Sequence, residues 1–137
     1  MKRLAVVVIF AMLTSTLVMA QSDKTQAAEK SAESWLAMVD KGEYAASWDQ
    51  TAAMFKAAVT KDKWADMLKA TRAPLGKLLS RKLQNAQYTT TLPGAPDGEY
   101  VVIQYETSFE NKKAAVETIV PTLDKDGQWR VSGYFIK

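Results

Sequence analysis

The pattern of apolar and polar positions divides the chain into a helical first half and a strand-forming second half. Apolar side chains recur at helical spacing in the first half, as Ala28, Ala32 and Trp35 show. This spacing predicts three helices, over residues 25–39, 43–56 and 61–73. From residue 78 onward the period is two, and it predicts four strands, over residues 78–92, 100–109, 114–123 and 127–136.

Short connections between the predicted strands indicate an antiparallel meander. The last strand must be covered by an earlier element, and the three helices are the candidates. Pro121 interrupts the third strand, which predicts a bulge or an edge position and a bent sheet. The predicted fold class is therefore α+β, with three N-terminal helices packed on a curved four-stranded antiparallel sheet.

The final predicted strand cannot place all of its apolar residues on one face. In a regular strand, Val131 and Phe135 face one side and Tyr134 faces the other. Either one apolar face is exposed to a partner, or Gly133 marks a bulge that turns the strand.

The N-terminal segment is typical of a cleaved export signal. Lys2 and Arg3 precede an apolar run from Leu4 to Leu13, and a small residue suited to signal peptidase follows at Ala20. The run is short for a membrane span, which needs about 20 apolar residues. We predict a signal peptide over residues 1–20, one domain over residues 21–137 and a periplasmic or secreted protein without a membrane span. The alternative is an uncleaved N-terminal anchor.

The composition excludes several classes of site. The sequence has no cysteine and no histidine, which excludes disulfides, a lipid-modified cysteine, histidine-based catalysis and the usual zinc sites. Loss of Lys2 and Arg3 with the signal would lower the formal net charge from +3 to +1. Because a near-neutral domain is unsuited to general nucleic-acid binding, we predict no nucleic-acid partner. We also predict no metal and no cofactor.

Five short motifs follow one another in a distinctive order. They are Ser34-Trp35, Ser47-Trp48, Arg72–Gly76, Leu92–Val102 and Trp129–Tyr134. Together they resemble family 4019 of the domains of unknown function, which are small exported bacterial proteins. The resemblance covers about Glu29 to Lys137 and implies no assigned activity. More distantly, the order of helices and meander resembles the cone-shaped NTF2-like or cystatin-like superfold, which hosts isomerases, dehydratases and binding modules alike.

Seven aromatic residues are candidates for lining an apolar ligand pocket between the helices and the sheet. They are Trp35, Trp48, Trp64, Tyr88, Tyr105, Trp129 and Tyr134. The alternative is that these rings fill the core of a small domain that has no disulfides.

Basic residues are concentrated in the middle of the chain. On a helix, Lys61, Lys69 and Arg72 share one flank. The candidate patch for an anionic partner, such as a lipid headgroup, a polysaccharide or an acidic protein, consists of Lys61, Lys69, Arg72, Lys77, Arg81 and Lys82. The alternatives are an ordinary solvated surface and, for Arg72 before Pro74, a structural role.

No catalytic residue is assigned from the sequence. A carboxylate beside a tyrosine, such as Asp49 with Tyr105, is a suitable base and hydrogen-bond donor for an isomerase, but no spacing in the chain requires this pair. The segment Asp124–Gly127 lacks the later ligands of a calcium loop and predicts a hairpin turn. Further candidate carboxylates are Glu29 and Glu33 on the first helix and Glu106 and Glu117 on strands.

The leading hypothesis is a non-enzymatic exported domain that binds a small apolar or anionic ligand, or a partner, in the bacterial cell envelope. One alternative is an isomerase or dehydratase that uses a buried carboxylate at the bottom of an open cavity. Another is a homodimeric interaction domain that uses the outer face of the sheet. The hypotheses differ in whether the space between helices and sheet is open or filled.

Overall fold

The computed structural model describes residues 5–137, and it describes side chains from residue 18 onward. The helices of this part are α1 (Ala5–Asp40), α2 (Tyr44–Asp49), α3 (Ala53–Ala58) and α4 (Lys61–Arg72), followed by a 3₁₀ turn (Ala73–Leu75). The strands are β1 (Leu78–Thr89), β2 (Tyr100–Phe109), β3 (Lys112–Leu123) and β4 (Trp129–Ile136). The predicted α+β class is confirmed.

The four strands form one antiparallel sheet in the order β1-β2-β3-β4, which confirms the predicted meander. Pairing places Tyr105 of β2 opposite Glu117 of β3, and Glu117 opposite Ile136 of β4. Directly opposite residues share a face of the sheet. We call the side that carries Tyr105, Glu117 and Ile136, which α1 covers, the inner face. The opposite side is the outer face. Helix α1 contacts all four strands.

The core lies between α1 and the inner face. The apolar stripe of α1 is buried, and it consists of Ala28, Ala32, Trp35, Leu36 and Val39. The strands contribute buried Val101, Ile103, Ile119 and Val131 to the same cluster. The helical spacing of the sequence therefore identified the buried side of α1 correctly.

The structure corrects the predicted number of helices, because the second predicted helix is interrupted. Helices α2 and α3 are separated where the Ala52 N–H donates to the Val131 carbonyl (2.8 Å) and Thr51 forms a bridge with the same residue of β4. Backbone groups that pair with the edge of a sheet are lost to a helix. In addition, α1 extends from Ala5 rather than from near residue 25, and β1 ends at Thr89 rather than at residue 92.

A register shift in the last strand resolves the conflict between its two apolar faces. Val120 pairs with Gly133 while Pro121 pairs with Val131, so that Ser132 has no partner in the ladder. One extra residue reverses the alternation of side chains. Val131 and Tyr134 consequently both pack on the inner core, and the bulge predicted near Gly133 and Pro121 is confirmed.

The predicted signal peptide falls mostly outside the described side chains. Lys2 and Arg3 lie outside the described residues altogether, and residues 18–23 of α1 are exposed. Helix α1 meets the strand region at Lys24, whose ammonium lies 2.5 Å from the Glu99 carboxylate. Among the helices that the structure describes, none combines the length and the apolar character needed to cross a membrane.

Candidate functional site

A cluster of contacting aromatic rings lies between the helices and the sheet. The Trp35 ring lies 5.1 Å from the Tyr134 ring in an edge-on arrangement and 6.2 Å from the Trp64 ring. Phe55 packs edge-on against Trp64 at 4.9 Å. Such contacts stabilise a core beyond the area that they bury.

The indole N–H groups of this cluster are satisfied from within the protein. Trp35 Nε1 donates to the Ser47 carbonyl (3.0 Å), and Trp64 Nε1 donates to the Ser47 hydroxyl (3.1 Å). Trp48 Nε1 donates to the Val59 carbonyl (2.7 Å). Ser47 is fully buried and therefore fixes two tryptophans at once.

The structure brings only part of the aromatic set together. Trp35, Trp64 and Tyr134 form one contacting group, and Tyr105 is buried beside it on the inner face. Trp48 and Trp129 pack at the edge of the same core and are half-buried. These positions favour the interpretation that the rings fill the core.

Tyr88 lies apart from this cluster, in a polar contact with Glu99 and with Lys24 of α1. Its hydroxyl donates to Glu99 (2.9 Å), which also receives the Lys24 ammonium, and the same ammonium lies 5.4 Å from the centre of the Tyr88 ring. The hydrogen bond from Lys24 is the main reason that the pKa of Glu99 is lowered. This group joins α1 to β1 and to the loop before β2.

A buried carboxylate lies at the centre of the inner face. Glu117 is fully buried, and Arg81 donates to it through Nε (2.7 Å) and Nη2 (3.2 Å). The Thr107 hydroxyl donates at 2.6 Å, and the Tyr134 hydroxyl donates to the second carboxylate oxygen. Four donors thus occupy one carboxylate, which leaves it poorly suited to accept a proton from a substrate.

The same network continues to the ends of two helices. Arg81 also donates to Asp40 of α1 through Nη1 (2.8 Å) and Nη2 (3.0 Å). Burial lowers the pKa of Arg81, but hydrogen bonds to Asp40 and Glu117 outweigh burial and raise it above its ordinary value. Arg72 donates to the Gly76 carbonyl (2.7 Å), and its guanidinium lies 4.2 Å from the centre of the Phe109 ring.

Two tyrosines of the inner face are held in their neutral form. Burial, followed by the charge of Glu117, raises the pKa of Tyr134 above its ordinary value. Burial raises the pKa of Tyr105 to about 12, and the charges of Glu33 and Glu29 add to this effect. Asp49 lies at a different place, in a surface cleft, so that the structure does not bring the pair Asp49 and Tyr105 together.

The six basic residues singled out in the sequence do not share one surface. Arg72 and Arg81 point into the network just described, and Lys61 pairs with Asp49 (2.8 Å) at the surface. The remaining exposed members are Lys69, Lys77 and Lys82. The structural role considered for Arg72 therefore applies to Arg81 as well.

An open cleft of about 810 Å³ lies at one end of the sheet. It is bounded by the segment around α2 and α3, by the loop before β2 and by the β3–β4 hairpin. Its charged lining residues are Asp49, Lys56, Asp97, Asp124, Lys125, Asp126 and Arg130. The segment Asp124–Gly127 forms the predicted hairpin turn, in which the Gly127 N–H donates to the Asp124 carbonyl (2.9 Å).

Arg130 forms ion pairs with two carboxylates of this cleft. It donates to Asp126 at 2.8 and 2.9 Å and to Asp124 at 3.0 Å. These bonds to Asp126 lower its pKa from 3.8 to about 2. Because the folded pKa is depressed, the contribution of Asp126 to stability is present above pH 3.8 and is lost as the pH falls through about 2.

We expect the variant Arg130→Gln to raise the pKa of Asp126 from about 2 towards 3.8, because the charged hydrogen bonds that favour the carboxylate are removed. Carbon-detected NMR titration of the Asp126 carboxyl measures this change. The matched control is Lys125→Gln, which removes a neighbouring cation that makes no bond to Asp126. An unchanged pKa in the Arg130 variant would contradict the assigned hydrogen bonds.

Comparison with known proteins gives one match. The family model described as "Protein of unknown function (DUF4019)" matches residues 31–134, which confirms the resemblance seen in the sequence motifs. No curated protein and no solved structure matches the chain. Within the part of the chain that the structure describes, no three carboxylates are grouped so that they could hold a metal ion.

Proposed function

This chain belongs to the DUF4019 family of proteins of unknown function, and from that premise we propose that it is a non-enzymatic binding domain of the bacterial cell envelope. Its ligand site is the cleft at the end of the sheet, and its ligand is a small molecule or chain segment that carries an anionic group. The interior serves as a rigid support for this cleft.

The observation that carries this proposal is the contrast between the interior and the cleft. The interior is packed with contacting aromatic rings, and its buried carboxylate, Glu117, is already occupied by four donors. An isomerase of the type considered above needs a carboxylate at the bottom of an open cavity. The cleft of about 810 Å³ has the size of an ordinary small-molecule site, and three of its four carboxylates, Asp49, Asp124 and Asp126, are held in ion pairs.

Two lysines of the cleft are available to the anionic group of a ligand. Asp124 and Asp126 are paired with Arg130, and Asp49 is paired with Lys61. Among the described residues, Lys56 and Lys125 have no carboxylate within ion-pair distance, and Asp97 has no cation within that distance. Lys56 and Lys125 are therefore left for an anionic group of a ligand, although the charges of the cleft as a whole come close to cancelling.

The N-terminal segment supports the proposed location in the envelope. Its charged start, apolar run and small residue at position 20 are typical of a cleaved export signal. Residues 18–23 are exposed, whereas burial in the core begins at Ala28. Cleavage after Ala20 would consequently leave the packed part of α1 intact.

A distant relation to the NTF2-like superfold is part of the same proposal. The order of helices followed by a four-stranded antiparallel meander supports it. The relation has no bearing on the activity, because one such fold hosts enzymes and binding modules alike.

Native mass spectrometry of the protein purified from its own host tests the proposal. We expect the mass of residues 21–137 together with a bound species that is lost in the double variant Lys56→Glu, Lys125→Glu. The matched control is Lys69→Glu on α4, which lies outside the cleft and should retain the bound species. A mass that includes residues 1–20 would contradict the export claim, and an unliganded mass under all growth conditions would contradict the binding claim.

A further inference from the structure

The outer face of the sheet carries an exposed aromatic ring. Phe135 of β4 is 62% exposed, the third-highest exposure among the large apolar side chains described and the highest in the sheet. A ring carbon of Phe135 lies 3.3 Å from the point that a Cβ on residue 133 would occupy, and Val120 adjoins the same point. Glycine at position 133 therefore allows the ring to lie across the strand, in a defined position on the outer face.

A shallow depression lies on the same face. Its volume is about 480 Å³, and its floor includes the small side chains of Ser80, Ser108 and Ala114. Lys82, Glu106, Lys113 and Val116 also line it. Phe135 lies close by, because Lys137, two residues further on, pairs through its backbone with Val116.

The charges around Phe135 and the depression are mostly positive. Lys82 and Lys113 line the depression, and Lys137 lies on the outer face because it is two residues from Phe135. Among the described residues, none of these three lysines has a carboxylate within ion-pair distance. Glu106, opposite Lys82 in the ladder, is the carboxylate of this group. Three lysine side chains thus accompany one acidic side chain.

A second exposed apolar side chain shows that this excess is not general. Met67 of α4 is 52% exposed, which is similar to Phe135. Two exposed lysines of the same helix, Lys63 and Lys69, are accompanied by two exposed carboxylates, Asp62 and Asp66. The excess of lysines over carboxylates beside an exposed apolar group therefore distinguishes the outer face from the surface of α4.

We propose that the outer face docks on the surface of an anionic lipid bilayer, with Phe135 entering the interface and Lys82, Lys113 and Lys137 facing the headgroups. An aromatic ring beside unpaired lysines is the combination that binds such surfaces, since apolar burial and charge attraction add together. A second copy of the chain fits less well, because two outer faces in contact would oppose like charges. This surface is separate from the cleft and does not depend on its ligand.

Co-sedimentation with vesicles tests the proposal. Protein recovered from the host envelope is mixed at low salt with vesicles of phosphatidylethanolamine and phosphatidylglycerol, or of phosphatidylcholine alone. We expect binding to the anionic vesicles that weakens as salt is raised. Each lysine near an anionic surface contributes roughly fivefold to the partition coefficient. The double variant Lys82→Gln, Lys113→Gln should therefore reduce it about 25-fold, and Phe135→Ser about tenfold.

The matched controls are Met67→Ser and the double variant Lys63→Gln, Lys69→Gln, which should stay within about twofold of the parent. All variants share one N-terminus, so that any contribution from that segment is common to them, and thermal unfolding checks that each is folded. Equal losses in the outer-face and α4 variants would overturn the proposal. So would equal binding to both kinds of vesicle, or a dimer in solution that Phe135→Ser dissociates while vesicles bind no protein.

Discussion

Replacing Glu117 with alanine is expected to lower the free energy of unfolding by about 3–5 kcal/mol, the usual result of removing one partner from a buried ion pair. Glu117 is fully buried and accepts from Arg81, Thr107 and Tyr134. Alanine would leave the hydroxyls without an acceptor and would leave Arg81 with Asp40 as its carboxylate partner. Since the free energy of unfolding of small domains is about 5–15 kcal/mol in total, this substitution would remove a large part of it. Urea unfolding followed by tryptophan fluorescence measures it.

The matched control for this prediction is Glu106→Ala. Glu106 lies on the neighbouring strand, faces the outer side and is exposed, so that its loss should change stability by less than about 0.5 kcal/mol. The double variant Glu117→Ala, Arg81→Ala should cost less than the sum of the single variants, because each charge is costly mainly when it is left alone. Equal small effects of Glu117→Ala and Glu106→Ala would show that the network does not hold the fold together.

The sequence predicts those elements whose residues all obey one period. The strand over residues 100–109 and the buried stripe of α1 belong to this group. It does not predict the break between α2 and α3, because the cause is a hydrogen bond from Ala52 to Val131, almost eighty residues away. Local periodicity contains no information about such a contact, and a helix of continuous pattern is the reasonable expectation from the chain alone.

The buried network was missed for a similar reason, although one signal for it is present. Glu117 alternates with Ala115 and Ile119, so a carboxylate occupies a position that the strand pattern assigns to the core. A buried carboxylate requires cationic partners, and basic residues upstream are the natural candidates. The identity of the partner, Arg81, depends on the register of β1 against β2 and of β2 against β3, which the sequence does not specify. Counting Arg81 with the neighbouring lysines therefore placed it on the surface.

The aromatic residues present the opposite case, since the sequence identified them and left their role open. Their mutual distances, and the hydrogen bonds of the indole groups to Ser47, now favour a filled interior. This conclusion can be tested by removing one ring. A cavity costs stability only where the surrounding side chains were in contact with the group that is lost.

We accordingly expect Trp35→Ala to lower the free energy of unfolding by about 3–5 kcal/mol, as is usual for a buried tryptophan. Trp35 is 2% exposed, its ring contacts Trp64 and Tyr134, and its indole nitrogen donates to Ser47. The variant loses these contacts and leaves the Ser47 carbonyl with one hydrogen bond fewer. Chemical unfolding monitored by circular dichroism measures the change, because the fluorescence of the remaining tryptophans would itself be altered.

Trp35→Phe is the matched variant that separates packing from hydrogen bonding. It keeps a ring between Trp64 and Tyr134 but cannot donate to Ser47, so it should cost about 1–2 kcal/mol. A filled interior predicts that the alanine variant is clearly the less stable of the two. If both variants were as stable as the parent, the rings would line an open space, and the pocket between helices and sheet would return as the candidate site. Because the two outcomes differ by several kcal/mol, one pair of unfolding curves decides whether the space around Trp35 is filled or open.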